Sequence, residues 1–250
     1  MDDVAALFGA ASARHAGRGD PRLRATALAA ACRDVLAADG ATISVTSDGR
    51  WRLPIGASDA AAAAAERWQF TVGQGPGFRA WAEGGVVVAG EASLRRAWPV
   101  LHDQLHRRTP FRSTVSLPLR PGPGPVGVFD LHFHRAEPVA PATASFDPVR
   151  AQLVASLIDT DLFGPGAPGP APAGRGPGAP AWLDAPTARH RQRVWMVISM
   201  SRQVLGLTDA DALALLRARA YSRDRTLEEL ADDVVEGRTP VRALHHSAED

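Results

Sequence analysis

Apolar residues recur at helical spacing in three short runs near the end of the chain. Val194, Val197, Ile198, Val204 and Leu205 form one stripe. Ala212, Leu213, Leu216 and Ala220 form a second, and Leu227, Leu230, Ala231, Val234 and Val235 a third. The pattern predicts helices over 193–205, 208–222 and 226–236, parted by Gly206-Leu207 and by Arg223-Asp224-Arg225. Thr208 with Asp211, and Thr226 with Glu229, place a hydroxyl at the N-cap and a carboxylate three residues on, the signature of a capping box. Gly237 and Pro240 stop the third helix. Such short stripes can be buried only against one another or against a partner chain, which predicts a three-helix bundle.

Upstream, helical and alternating runs are mixed. Asp20-Pro21 opens a helix that ends at Asp39-Gly40, and Ile43 and Val45 mark a strand turning at Asp48-Gly49 into Trp51-Arg52-Leu53. An alanine-rich helix over 58–67 leads to a glycine-rich turn, a Val86-Val87-Val88 strand and a helix over 94–106. Val115, Leu117 and Leu119 alternate as a strand, and Pro121-Gly122-Pro123-Gly124 joins it to another over 126–134. Phe146, Val149, Leu153, Leu157 and Leu162 stripe a closing helix. From Gly164 to Ala181 the chain is nearly all Gly, Pro and Ala, which packs as neither helix nor strand and reads as a semi-extended tether. The expected class is α+β: an antiparallel sheet flanked by helices, a Pro/Gly-rich tether, and a small C-terminal three-helix bundle. The boundaries predicted are a tail over 1–19, a sheet domain over 20–163, a linker over 164–184 and the bundle over 185–246.

Charge sharpens the picture of the bundle. Arg217, Arg219, Arg223 and Arg225 cluster at the end of its second helix, after Arg189, Arg191, Arg193 and Arg202, whereas carboxylates concentrate in the third helix. A segregated patch points to a polyanion. Net charge is only +1, so any such contact must be local. Apart from histidine, all 28 basic residues are arginine, a coding bias that weakens the argument from arginine alone.

The runs Ala212-Leu213-Ala214-Leu215-Leu216-Arg217-Ala218-Arg219-Ala220, Arg225-Thr226-Leu227 and 230–237 resemble the ANTAR domain, a three-helix RNA-binding module of bacterial antitermination regulators. Phe70-Thr71-Val72-Gly73-Gln74-Gly75-Pro76-Gly77 with Ala80, then Gly84 to Val88, Ser116-Leu117-Pro118-Leu119 and 126–131, resemble a GAF-type sensor. The first part resembles the GAF half of actinobacterial GAF–ANTAR regulators over nearly its whole length, and the order GAF then ANTAR matches those regulators. That resemblance implies binding of paired RNA stem-loops, antitermination and a homodimer, with an unidentified small molecule as a possible GAF ligand. It departs from the ANTAR pattern at Val197, Ile198, Ser199 and Met200, where bulkier side chains are expected to shift the first helix. It also departs at Gly77, where many relatives carry cysteine.

The RNA-binding residues expected are Arg217, Arg219, Ser222, Arg223, Arg225 and Thr226, with Arg202 beside them. Trp68, Phe70, Gly75 and Trp81 are expected to line a ligand pocket. Gly73 to Gly77 lacks the Lys-Ser/Thr of a phosphate loop and reads as a turn needing positive φ. Asp130, His132 and His134 share a strand face, which reads as a polar face before it reads as a metal site. Cys32, the one cysteine, excludes an internal disulfide and a cysteine zinc site and reads as a buried hydrophobe. No nucleophile–base–acid set emerges, so neither catalysis nor a cofactor is expected. With an acidic Met1-Asp2-Asp3 start and no eighteen-residue apolar run, the protein is expected in the cytoplasm, away from membranes. Two rivals to RNA binding remain: a non-catalytic GAF adaptor whose bundle serves only dimerisation, and a DNA-binding regulator. The second fits poorly, because the second helix opens with Asp209 and Asp211.

Overall fold

The chain is described by a computed structural model over residues 2–17, 19–46, 51–138, 146–164 and 180–245. Its strands are β1 (Gly40–Thr46), β2 (Arg52–Ala57), β3 (Val87–Ala89), β4 (Ser113–Leu119) and β5 (Gly127–Phe133). They form one antiparallel sheet in the order β2-β1-β5-β4-β3. The helices are α1 (Asp2–His15), α2 (Arg24–Val35), α3 (Ala60–Val72), α4 (Pro76–Glu83), α5 (Glu91–Ala97), α6 (Pro99–Arg108), α7 (Pro148–Phe163), α8 (Pro186–Leu205), α9 (Asp209–Ser222) and α10 (Leu227–Val235).

Strand alternation sorts the sheet into two unlike faces. Ala41, Ile43, Val45, Val115, Leu117, Leu119, Phe129, Leu131 and Phe133 point one way into an apolar core shared with α1, α2 and α7. The opposite face is polar: register aligns Thr42 with Asp130 and Asp130 with Ser116, and His132 with Thr114. Helices α3 and α4 cover this second face, and the apolar side chains of α3, α5 and α6 close over Phe111 beside it. The polar row is therefore roofed, not solvated, and all its members are buried.

Several sequence expectations shift here. Residues read as a tail form α1, which buries Phe8 and Ala11 against α2. The helix read over 94–106 is two helices, because Pro99 cannot donate the helical bond and Trp98 takes an extended φ of −140° between them. The glycine turn is followed at once by α4, whose first residue is Pro76. Most of the expected tether, 165–179, and the Asp48-Gly49 turn lie outside the described residues. The end of the tether, Ala181–Asp184, is a 3-10 turn that buries Trp182 in the sheet's apolar core.

Helices α8, α9 and α10 pack on one another through most of their expected stripes, but Val204 and Val235 are exposed. Gly206, at φ 69°, takes the left-handed conformation that ends α8. Thr226 and Glu229 complete a reciprocal capping box at α10, and Thr208 caps α9 through the Asp211 amide. Val197 and Ile198 are buried in this core, whereas Ser199 faces solvent, so the Val197–Met200 departure is absorbed within the packing. The core also takes in Phe70 from α3, with Trp51 at its edge.

Candidate functional site: the junction between the sheet unit and helices α8–α10

Arg191 of α8 is the largest fully buried side chain. Its Nη2 donates to Glu66 Oε2 of α3 at 2.7 Å, its Nε to Glu228 Oε1 of α10 at 2.6 Å, and its Nη1 to the Arg52 carbonyl at 2.7 Å. The guanidinium carbon stands 3.5 Å from the Phe70 ring centroid. Every face of this cation is thus occupied by carboxylate, carbonyl or π-cloud. Burial pushes the Glu66 carboxyl above its usual range, and Arg191 and Arg52 pull it back down.

Arg52 extends the network to the roofed face of the sheet. It pairs with Asp130, which also accepts from Ser116 Oγ at 2.5 Å, and its Nε lies 3.4 Å from Glu66 Oε1. Gln69 links the same carboxylate to α4, donating to Asp130 at 3.4 Å and accepting from the Gly77 amide at 2.9 Å. Glycine is needed at 77 because a Cβ there would lie 3.0 Å from Asp130 and closer still to Arg52. One buried polar chain therefore runs from Asp130 through Arg52, Glu66 and Arg191 to Glu228. It leaves polar atoms without hydrogen-bond partners at Arg52 Nη1, Thr42 Oγ1, Ser44 Oγ and His132 Nε2. Such orphans mark a strained or ligand-accepting face.

The arginines expected to meet RNA are differently placed. Arg217 folds onto α3, donating to the Phe70 carbonyl at 3.2 Å, with its guanidinium 5.3 Å from the Phe70 ring centroid. Burial, helped by Arg191, pushes its pKa down to about 10, which leaves it charged at neutral pH. Arg219 donates to the Leu244 carbonyl, and Arg225 pairs with Asp233. Arg202 pairs with Asp209 at 3.0 Å, Thr226 is a buried cap, and Ser222 donates to the Arg219 carbonyl. Arg223 is exposed. The charge segregation expected from sequence is not what the fold presents: Arg193, Arg225 and Arg238 interleave with Asp232, Asp233 and Glu236 of the third helix and its end. From the sheet unit, Arg108 pairs with Asp224 in the α9–α10 turn and lies over the Trp68 ring.

The four residues expected to line a pocket do different jobs. Phe70 sits between two arginines in the α8–α10 core, and Trp68 carries Arg108. Gly75 caps α4 at φ 151°, and Trp81 donates to the Pro125 carbonyl. Of the row Asp130, His132 and His134, the first is held by Arg52 and Ser116. His132 stacks on Phe111, and burial pushes its imidazole down to about 4. His134 is exposed.

No family model and no curated protein matches this chain. Among solved structures, it is similar to a free methionine-R-sulfoxide reductase from Neisseria meningitidis, solved with its substrate. The likeness covers 63% of this chain and 86% of the other at 17% identity, with a TM-score of 0.43.

A cavity of about 150 Å³ lies where the two parts of the chain meet, lined by Thr42, Gly56, Glu66, His190, Thr187 and Glu228 among others. Local sequence pattern does not reveal this junction. Arg191 was visible only as one basic residue among many, and nothing in its spacing marked it as buried. The signal that existed was Glu66 at the end of an otherwise apolar alanine run, a carboxylate on a face that needed a partner.

Proposed function

We infer that this chain is a cytoplasmic, signal-responsive regulator that binds paired RNA hairpins through α8–α10 and acts by antitermination. In this reading residues 20–163 are a non-catalytic GAF-type sensor, and the active form is a homodimer. The sequence resemblance supplies the two module types, and the junction supplies a way to connect them. The single observation that carries the reading is Arg217. It belongs to the run that resembles an RNA-binding helix, yet its guanidinium is folded onto the Phe70 carbonyl of α3. The same helix contributes Gln69 and Glu66 to the buried network under the roof of the sheet. A signal that moves α3 would therefore free Arg217 for phosphate, while Arg219 and Arg223 supply the outer contacts.

A specific observation favours the adaptor reading as well: Arg217, Arg219 and Arg225 all have partners inside the chain. In that case α8–α10 serve dimerisation only. Gel-shift titration of the full chain with paired hairpins, a single hairpin and duplex DNA, at two salt concentrations, separates the readings. RNA regulation predicts tightest binding to paired hairpins, with affinity falling as salt rises. Equal weak binding to all three, or none, supports the adaptor.

A further inference from the structure

We propose that Glu91, His102 and His106 form a binding site for a divalent transition-metal cation, with Zn²⁺ the best match. This inference is independent of the RNA reading. His102 and His106 are four residues apart on α6, so both project from one helical face. Glu91 is the first residue of α5, and its carboxylate faces that pair across the Trp98 joint. Glu91 Oε1 lies 3.8 Å from His102 Nε2 and 3.9 Å from His106 Nδ1, and the three donor atoms all fall within 4.8 Å of one another. Among the described residues, this is the group of three or more such side chains that converges in this way.

These separations are too long for hydrogen bonds and too short to be unrelated. Donors around a tetrahedral zinc at about 2.0–2.1 Å stand roughly 3.3 Å apart, so a modest inward rotation of each side chain completes the geometry. His102 Nε2 is buried without a hydrogen-bond partner, and the nearest acceptor is Glu91 Oε1 at 3.8 Å. The scaffold beneath is fixed. Leu94, Trp98, Leu101 and Leu105 anchor both helices in one core, and the Glu91 amide donates to the Ala136 carbonyl at 2.7 Å. Two imidazoles and one carboxylate favour zinc-like ions over magnesium or calcium, which prefer all-oxygen sets. The site is reachable: side-chain exposure is 20% at His102, 32% at Glu91 and 54% at His106. A fourth ligand would be water. Bound metal would clamp α5 to α6.

The test is calorimetric titration of the metal-stripped full chain with Zn²⁺, repeated with Co²⁺ while recording its visible spectrum. The expected result is one ion per chain with a tetrahedral Co²⁺ spectrum. Glu91→Ala, His102→Ala and His106→Ala should each weaken binding by about tenfold or more, and His134→Ala should leave it unchanged. His106 is exposed, so its replacement leaves the fold intact and keeps the test decisive. A wild-type chain that takes up no Zn²⁺, or one in which His106→Ala and Glu91→Ala bind it as tightly as wild type, overturns the proposal.

Discussion

Arg191 and Glu66 meet at 2.7 Å between α8 and α3, 125 residues apart in the chain, and neither side chain is more than 1% exposed. A buried pair of this kind is worth little over a well-packed apolar substitute, but breaking it leaves a bare charge in the interior. Arg191→Ala would strand Glu228 and leave Glu66 with Arg52 alone, at 3.4 Å. We expect it to lose about 3–5 kcal/mol in urea denaturation, or to fail to fold. The triple replacement Arg191→Met, Glu66→Leu, Glu228→Leu should recover most of that loss. A loss below about 1 kcal/mol for Arg191→Ala would mean the network is not a structural tie.

How much of this was legible in the sequence depends on the physics involved. Local signals read well: Thr226 and Glu229 announced their capping box, and the alternation of Val115, Leu117 and Leu119 gave β4 and its apolar face. The Trp98–Pro99 break was readable in principle, since proline marks a helix start, but the apolar stripe ran through it. What could not be read were long-range choices. Nothing in local spacing says that Phe70 leaves the sheet unit for the core of α8–α10, or that Arg217 turns inward while Arg223 stays out. Asp130 and His132 read only as a polar strand face because alternation gives the side of a strand but not what covers it.

Gly73 sits at φ 75°, and a Cβ there would lie 2.7 Å from the Arg217 guanidinium carbon. Gly73→Ala should therefore cost about 1–2 kcal/mol in backbone strain and also displace Arg217 from α3. Hydrogen exchange at the C-terminal half of α9 should rise in the variant, and paired-hairpin affinity should tighten. Unchanged exchange there would show that Arg217 is not held by this contact.

Acid titration should carry a signature of His132. Burial holds its imidazole at about 4, against 6.5 when unfolded, so between those values the unfolded chain binds more protons. Stability from this group is present above 6.5 and is lost as pH falls towards 4. Asp159 works in the opposite sense: burial raises it from 3.8 to about 6, so its contribution improves as pH falls through 6. The two partly cancel in the wild type. Comparison with His132→Gln in urea titrations isolates the first: wild type should lose about 3 kcal/mol relative to the variant between neutral pH and pH 4. Parallel curves would contradict the burial of a neutral imidazole. Asp159→Asn keeps an acceptor for the Arg120 amide and should add about 1 kcal/mol at neutral pH, a figure reduced for partial exposure.

Cys32 is fully buried on α2, and burial pushes its thiol well above the usual range. It should resist a thiol-reactive disulfide reagent in the native chain and react fully once urea unfolds it. Rapid labelling without denaturant would place α2 outside the core.

Arg223 is exposed just after α9, and Arg219, which donates to the Leu244 carbonyl, lies one turn before it; in the RNA-binding reading these two arginines contact folded RNA. Fluorescence anisotropy of a labelled paired hairpin, titrated with the wild-type chain and with Arg219→Glu/Arg223→Glu, tests that contact. RNA contact by these arginines predicts a loss of at least about tenfold in affinity together with a shallower dependence on salt, with the fold unchanged by circular dichroism. Equal affinity and equal salt slope in the two proteins would contradict it.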